Sequence, residues 1–129
     1  MSRSRPTPLL CPFCGARLGR PVRLDLASYE NSEGGLCVCG AAYAHDPTSH
    51  NLGRALLDAY CFAAGSPELA LELTAEEDTD EKIVPNYDPQ RHEVRPPQPG
   101  RYSASALYFV RLRPEAAERL ARLREKGGG

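Results

Sequence analysis

Between residues 52 and 64 the apolar positions fall at Leu52, Ala55, Leu56, Ala59, Tyr60 and Ala63, an i, i+3, i+4 pattern that predicts a helix. Gly65-Ser66-Pro67 predicts a stop and a fresh start, because glycine suits a left-handed cap, serine an N-cap and proline the first helical position. The second helix is expected to end near Leu73, with Glu68 at the positive end of its dipole. Thr74-Ala75-Glu76-Glu77 has the form of a capping box, so the stretch from Thr74 to Lys82 reads as a short third helix or a solvated loop.

Upstream and downstream the period changes to two. Val22, Leu24 and Leu26 alternate with Arg23 and Asp25, residues 31–35 read as a turn, and Leu36 to Tyr43 as the returning strand. Pro85, Pro89, Pro96, Pro97 and Pro99 predict an irregular segment. Residues 104–112 read as a strand with Tyr108, Val110 and Leu112 on one side and Leu107 and Phe109 on the other. Apolar residues on both sides predict that this strand is covered on both faces or lies at an interface. Pro114 opens a last helix to about Lys126, with Ala116, Leu120 and Leu123 inward. Glu115–Arg119 and Glu118–Arg122 are expected as i, i+4 pairs on its solvent side.

Composition sets the scale of this fold. Its 129 residues include three Phe, six Tyr and no Trp, so the core rests on Leu and Ala. A thin core in a short chain commonly leans on a metal, disulfides or oligomerisation. Five cysteines is an odd number, which argues against a closed disulfide framework. The first eight residues carry Arg3 and Arg5 without a following apolar run, unlike a signal peptide, and no stretch approaches the length of a membrane span. A reducing cytoplasmic setting is expected, where paired cysteines read as metal ligands.

Charge is segregated although the net value is only −1. Residues 1–24 hold five Arg and no acid, residues 25–88 hold thirteen acids against two bases, and residues 89–129 hold nine bases against four acids. Near neutrality argues against a dedicated nucleic-acid binder. The segregation predicts either a local basic patch or basic ends folded over the acidic middle.

The chemistry concentrates in Cys11-Pro12-Phe13-Cys14-Gly15 and Cys37-Val38-Cys39-Gly40. Two thiolates separated by two residues can supply adjacent tetrahedral ligands from one tight turn, and the glycine lets backbone N–H groups turn toward sulfur. The second pair has one intervening residue, yet i and i+2 on a strand face the same side and can still reach one ion. Four thiolates around Zn²⁺ leave a formal charge of −2, which Arg17 and Arg20 are placed to offset. The tighter second pair leaves open a variant in which His45 replaces one of these cysteines.

The segments Leu10–Leu18 and Gly35–Tyr43 resemble the two knuckles of the zinc-ribbon, rubredoxin-like class over about residues 9–45. Residues 46–57 also resemble part of a bacterial protein family to which no role is attached. The first resemblance implies one structural zinc on Cys11, Cys14, Cys37 and Cys39, with iron as the minor alternative. The layout expected from it is a flexible tail over 1–8, a zinc-ribbon lobe over 9–45, a small mainly helical part over 46–126 packed on it, and a flexible tail over 127–129. The fold class is α+β, with N-terminal zinc-ribbon β-hairpins followed by helices and one late strand.

Other candidates are weaker. Cys61 sits mid-helix among apolar neighbours and reads as a small buried side chain. His45 and His50 flank a polar loop and are expected mainly to hydrogen-bond there, although a second metal site or an acid–base pair is the alternative. His92 stands alone among prolines and is expected in solvent. The helix at 52–64 carries only Arg54 and Asp58 as charges, and a helix apolar nearly all round must be covered nearly all round. Its residues Leu52, Leu56, Leu57 and Tyr60 are therefore the candidate interaction surface, for a protein partner or for self-association. The alternative is that the late strand and the last helix cover it.

These features favour a small zinc-binding adaptor or regulator acting through protein contacts, with no membrane association. A nucleic-acid-binding zinc ribbon of transcription or translation is the alternative. An enzyme is the third option, because four thiolates close the coordination sphere whereas catalytic zinc needs an open position.

Overall fold

A computed structural model describes residues 6–23, 33–47, 52–96 and 105–127, without the side chains of Leu52, Lys126 and Gly127. Expectations for Leu24, Leu26, residues 31–32, His50, residues 97–104 and the last two glycines lie outside these residues.

The architecture is α+β. In chain order the elements are β1 (Thr7–Pro8), β2 (Val22–Arg23), β3 (Glu33–Leu36), β4 (Ala41–Asp46), α1 (Leu52–Ala64), α2 (Pro67–Ala70), α3 (Ala75–Asp78), β5 (Thr79–Pro85), β6 (Tyr87–Asp88), β7 (Glu93–Val94), β8 (Ala106–Leu112) and α4 (Pro114–Gly127). Five strands form one antiparallel sheet in the order β2-β3-β4-β8-β5, and β1-β7-β6 form a second, smaller one.

Alternation along β4 and β8 sorts the core into two layers. Ala42, Ala44, Tyr108 and Val110 face α1, where Ala55, Ala59 and Phe62 meet them. Ala41, Tyr43, Leu107 and Phe109 face the other way and pack with Leu9, Leu18, Cys11, Cys37 and Tyr87. The two apolar sides of residues 106–112 are thus both covered, one by a helix and one by the cysteine-bearing segment. Burying Leu107 and Phe109 completely is worth about 1.5–3 kcal/mol each. The rings of Tyr43 and Phe109 stack with centroids 5.0 Å apart across the β4–β8 pairing.

Helix boundaries follow the local chemistry. Ser66 caps α2 by accepting the Leu69 N–H at 3.1 Å, and Pro67 opens the helix. α2 is shorter than expected, because Leu71 and Glu72 already form a turn. At α3 the box is realised differently: the Thr74 side chain makes no cap bond, and the Asp78 carboxylate accepts the Thr74 N–H at 2.7 Å.

Three expectations are corrected. The acidic stretch does not remain helix or loop throughout, since Thr79–Pro85 is strand β5, paired along its length with β8. The proline-rich segment contains the β6–β7 hairpin, and β7 pairs with β1, so Thr7 and Pro8 belong to a sheet and not to a tail. The part after residue 46 accordingly holds four strands, β5 to β8, where one was expected.

Candidate metal centre

Two turns bring the cysteines together. In the first, the Cys11 N–H donates to Ala16 O at 2.8 Å and the Gly15 N–H to Cys11 O at 2.9 Å. In the second, the Cys37 N–H donates to Ala41 O at 2.8 Å and the Gly40 N–H to Cys37 O at 2.9 Å. The two loops share one closure, and the second is one residue shorter. Gly15 (φ +80°) and Gly40 (φ +95°) supply the left-handed turn in each, a conformation that L side chains rarely adopt. The Cys-x-Cys spacing is therefore a contracted version of the first knuckle.

The four sulfurs of Cys11, Cys14, Cys37 and Cys39 all lie within 4.8 Å of one another. Cys11 and Cys39 are 3.7 Å apart, and Cys14 and Cys37 are 3.4 Å apart. A tetrahedral ion with metal–sulfur bonds of about 2.3 Å requires sulfur separations of about 3.8 Å. The cluster fits that geometry and can hold a metal ion, and all five cysteines are free thiols.

Backbone donors serve the sulfurs. The N–H groups of Phe13 and Cys14 point at the Cys11 sulfur, that of Cys39 at Cys37, and that of Ala41 at Cys39. Burial pushes the Cys11 thiol above its ordinary pKa and that of Cys37 up to about 12. Burial acts in the same direction on Cys39, but the Ala41 N–H and the neighbouring thiols outweigh it and leave that group lowered. Such a cluster cannot carry four thiolate charges by itself, and a divalent cation removes that obstacle.

Positive charge reaches the first knuckle from the other end of the chain. The Arg111 guanidinium lies 4.6 Å from the centre of the Phe13 ring and the Lys82 ammonium 5.1 Å from it, while Lys82 also donates to Pro12 O at 3.1 Å. Arg17 is exposed, and Arg20 donates to the carbonyls of Pro89 and Gln90, tying the first knuckle to the β6–β7 hairpin.

The two described histidines, His45 and His92, make contacts within the fold. Among the described residues, the four cysteines alone make up the group able to hold a metal. The buried ring of His45, the variant ligand, lies 3.6 Å from the Glu33 carboxylate and edge-on to Tyr87, and burial lowers its pKa. His92 is half-buried and not in open solvent: its Nδ1 meets the Tyr87 hydroxyl at 2.7 Å and its Nε2 lies 2.7 Å from Leu18 O. Tyr87 is 1% exposed and was not singled out from the sequence, nor was Glu81. Glu81 accepts hydroxyl protons from Tyr60 and Tyr108, the latter at 2.5 Å. Burial, with Glu81 next in effect, raises Tyr60 to about 12 and raises Tyr108 as well. The one local sign of β5 is the β-branched pair Ile83-Val84 ahead of Pro85.

On α1, Leu56 is half-buried, Leu57 is 54% exposed, and Tyr60 is buried with its hydroxyl turned inward. Cys61 is buried within α1, as expected. Much of the basic C-terminal segment, from Arg113 just before α4 to Arg124 within it, is engaged within the molecule. Arg113 reaches Glu77 O at 3.1 Å and Asp80 at 3.3 Å, Arg119 pairs with Asp78 at 2.8 Å, and Arg124 donates to Ala64 O. The expected surface pairing of Arg119 with Glu115 gives way to the bond with Asp78, since a largely buried carboxylate holds a guanidinium more firmly than an exposed one.

Fold and site together define an α+β protein with a four-cysteine cluster able to hold a metal ion. No protein-family model, curated protein or solved structure matches the chain. No helix of the described residues is long and apolar enough to cross a membrane.

Proposed function

We propose that the chain is a small zinc-binding adaptor or regulatory protein, in which one structural zinc on Cys11, Cys14, Cys37 and Cys39 locks the first knuckle, residues 9–18, to the β3–β4 turn of the central sheet. The observation that carries this reading is the closed set of four sulfurs at tetrahedral spacing, two of them buried in the same apolar layer as Phe109. Zinc is favoured over iron because the site serves packing, and Zn²⁺ brings no redox chemistry. With every ligand position filled by the protein, no position is left for a reacting water, which disfavours the enzyme reading.

Action through protein contacts is supported by Leu57 and Leu71, which are 54% and 84% exposed around a groove beside α1. The nucleic-acid alternative is weakened because Arg113, Arg119 and Arg124 of the basic segment bind the chain's own carbonyls and carboxylates. This is the arrangement in which the basic end folds over the acidic middle.

Native mass spectrometry is expected to show one zinc per chain, lost in Cys14→Ser. Affinity capture with wild type and with Leu57→Asp then tests the adaptor role. A protein recovered by the wild type and lost with the zinc-loaded variant supports it. Recovery of nucleic acid alone counts against it.

A further inference from the structure

The groove between α1 and the α2–α3 segment has a volume of about 570 Å³ and is lined by Leu56, Leu57, Tyr60, Leu71, Leu73 and Ala75, among others. Such a trough is the size and chemistry that take the apolar face of an amphipathic helix. Its rim is acidic. Glu68 lines it, and Glu72 and Glu76 are exposed chain neighbours of the lining residues Leu71, Leu73 and Ala75. Glu68 and Glu76 form no ion pair among the described residues, whereas Glu72 lies within electrostatic reach of the Arg119 guanidinium.

Charge selects the occupant. A two-fold contact between copies sets the same surface against itself, so it brings two acidic rims to one seam. A second copy's α4 has no free apolar stripe to offer, because Ala116 and Leu120 are already 1% and 0% exposed. Anionic lipid and nucleic acid meet the same repulsion. The chain already sets one cationic helix against this acidic segment: Arg119 of α4 donates to Glu72 O at 3.1 Å and to Asp78 at 2.8 Å. We propose that the groove binds a basic amphipathic helix of a partner protein, its apolar residues on Leu57 and Leu71 and its Lys or Arg side chains over Glu68 and Glu76. This rests on the protein-binding reading above and names the chemistry of the partner.

The test is fluorescence anisotropy with zinc-loaded full chain and synthetic helical peptides of about 18 residues, roughly five turns. One peptide carries a leucine face flanked by lysine, a second the same face flanked by glutamate, and a third the lysine composition scrambled. Saturable binding is expected for the first alone, weakening as salt screens the rim. Leu71→Asp and the double reversal Glu68→Lys/Glu76→Lys are each expected to reduce affinity about tenfold or more. Leu71 is 84% exposed, so its variant is expected to keep its metal and its thermal midpoint.

Equal binding of the scrambled peptide, or indifference to both variants, overturns the proposal. Preference for the glutamate-flanked helix, lost in Leu71→Asp, overturns the basic partner while leaving the protein-binding reading standing. Absence of binding by either helix overturns the proposal, and the protein-binding reading then rests on the affinity capture alone. Concentration-dependent dimerisation abolished by Leu71→Asp assigns the groove to a second copy, and Leu71-dependent uptake onto anionic vesicles assigns it to lipid; either result overturns the proposal.

Discussion

The sulfurs of Cys14 and Cys37 lie 3.4 Å apart although 23 positions separate them in the chain. Cys37 belongs to the buried layer that includes Tyr43 and Phe109, whereas Cys14 is exposed at the tip of its turn. The cluster therefore joins a surface loop to the interior of the sheet, and an ion bound there acts as a cross-link on the fold.

Metal removal follows directly. A ligand that binds only the native state at a thousandfold above its dissociation constant adds about 4 kcal/mol of stability. Chelation of the zinc-loaded protein is expected to lower the thermal midpoint and re-addition of zinc to restore it. An unchanged midpoint after verified metal loss would show that the four thiols carry no structural load.

Gly40 is held at φ +95°, and a Cβ built there meets nothing within 4 Å. Gly40→Ala therefore tests backbone strain without a steric clash. Its expected cost is about 1–2 kcal/mol in urea unfolding. Gly40→Asn is expected to cost less, since asparagine tolerates the left-handed region better. Equal stability of wild type and Gly40→Ala would contradict the turn geometry.

Asp78 is held below its ordinary pKa, first by the Arg119 guanidinium and then by the Thr74 N–H. A carboxylate whose folded pKa is depressed stabilises the fold above its unfolded pKa and loses that contribution as pH falls through the folded value. Asp78→Asn is thus expected to be less stable than wild type at neutral pH, with the gap closing only below the ordinary carboxylate range near 3.8. Thermal melts across an acid series read this directly. A gap that stays constant down to the acid limit would assign the effect to packing.

Tyr87 joins the β6–β7 hairpin to the cysteine-bearing segment through His92, with 2.7 Å contacts at both ring nitrogens of that histidine. Tyr87→Phe keeps the buried ring and removes the hydroxyl, with an expected cost of about 1–2 kcal/mol. The His92 ring resonances should shift in the same variant. Unmoved His92 signals would show that the hydroxyl does not hold the imidazole.

Local chemistry announced the elements whose residues carry their own instructions. The spacing of Ala55, Ala59 and Tyr60 marked α1, Ser66-Pro67 marked the start of α2, and the apolar run Leu107 to Val110 marked a strand covered on both faces. The paired cysteines with their following glycines showed which side chains gather at one point. Strand β5 was hidden because an edge strand pairs on one side only and tolerates Asp80, Glu81 and Lys82 facing solvent and polar partners. The β6–β7 hairpin was hidden by prolines, which signal irregular backbone even where two short strands lie between them.

What the sequence determined by itself is therefore local: periodicity, capping, turn glycines and a thiol set able to share one cation. Tertiary structure decided the long-range partners, because they depend on registers that no local pattern encodes. The β8–β5 pairing sets Lys82 opposite Phe109 and so over Phe13, and Glu81 opposite Val110 and so beneath Tyr60 and Tyr108. A slip of one residue would exchange those two faces and send each side chain into the wrong layer.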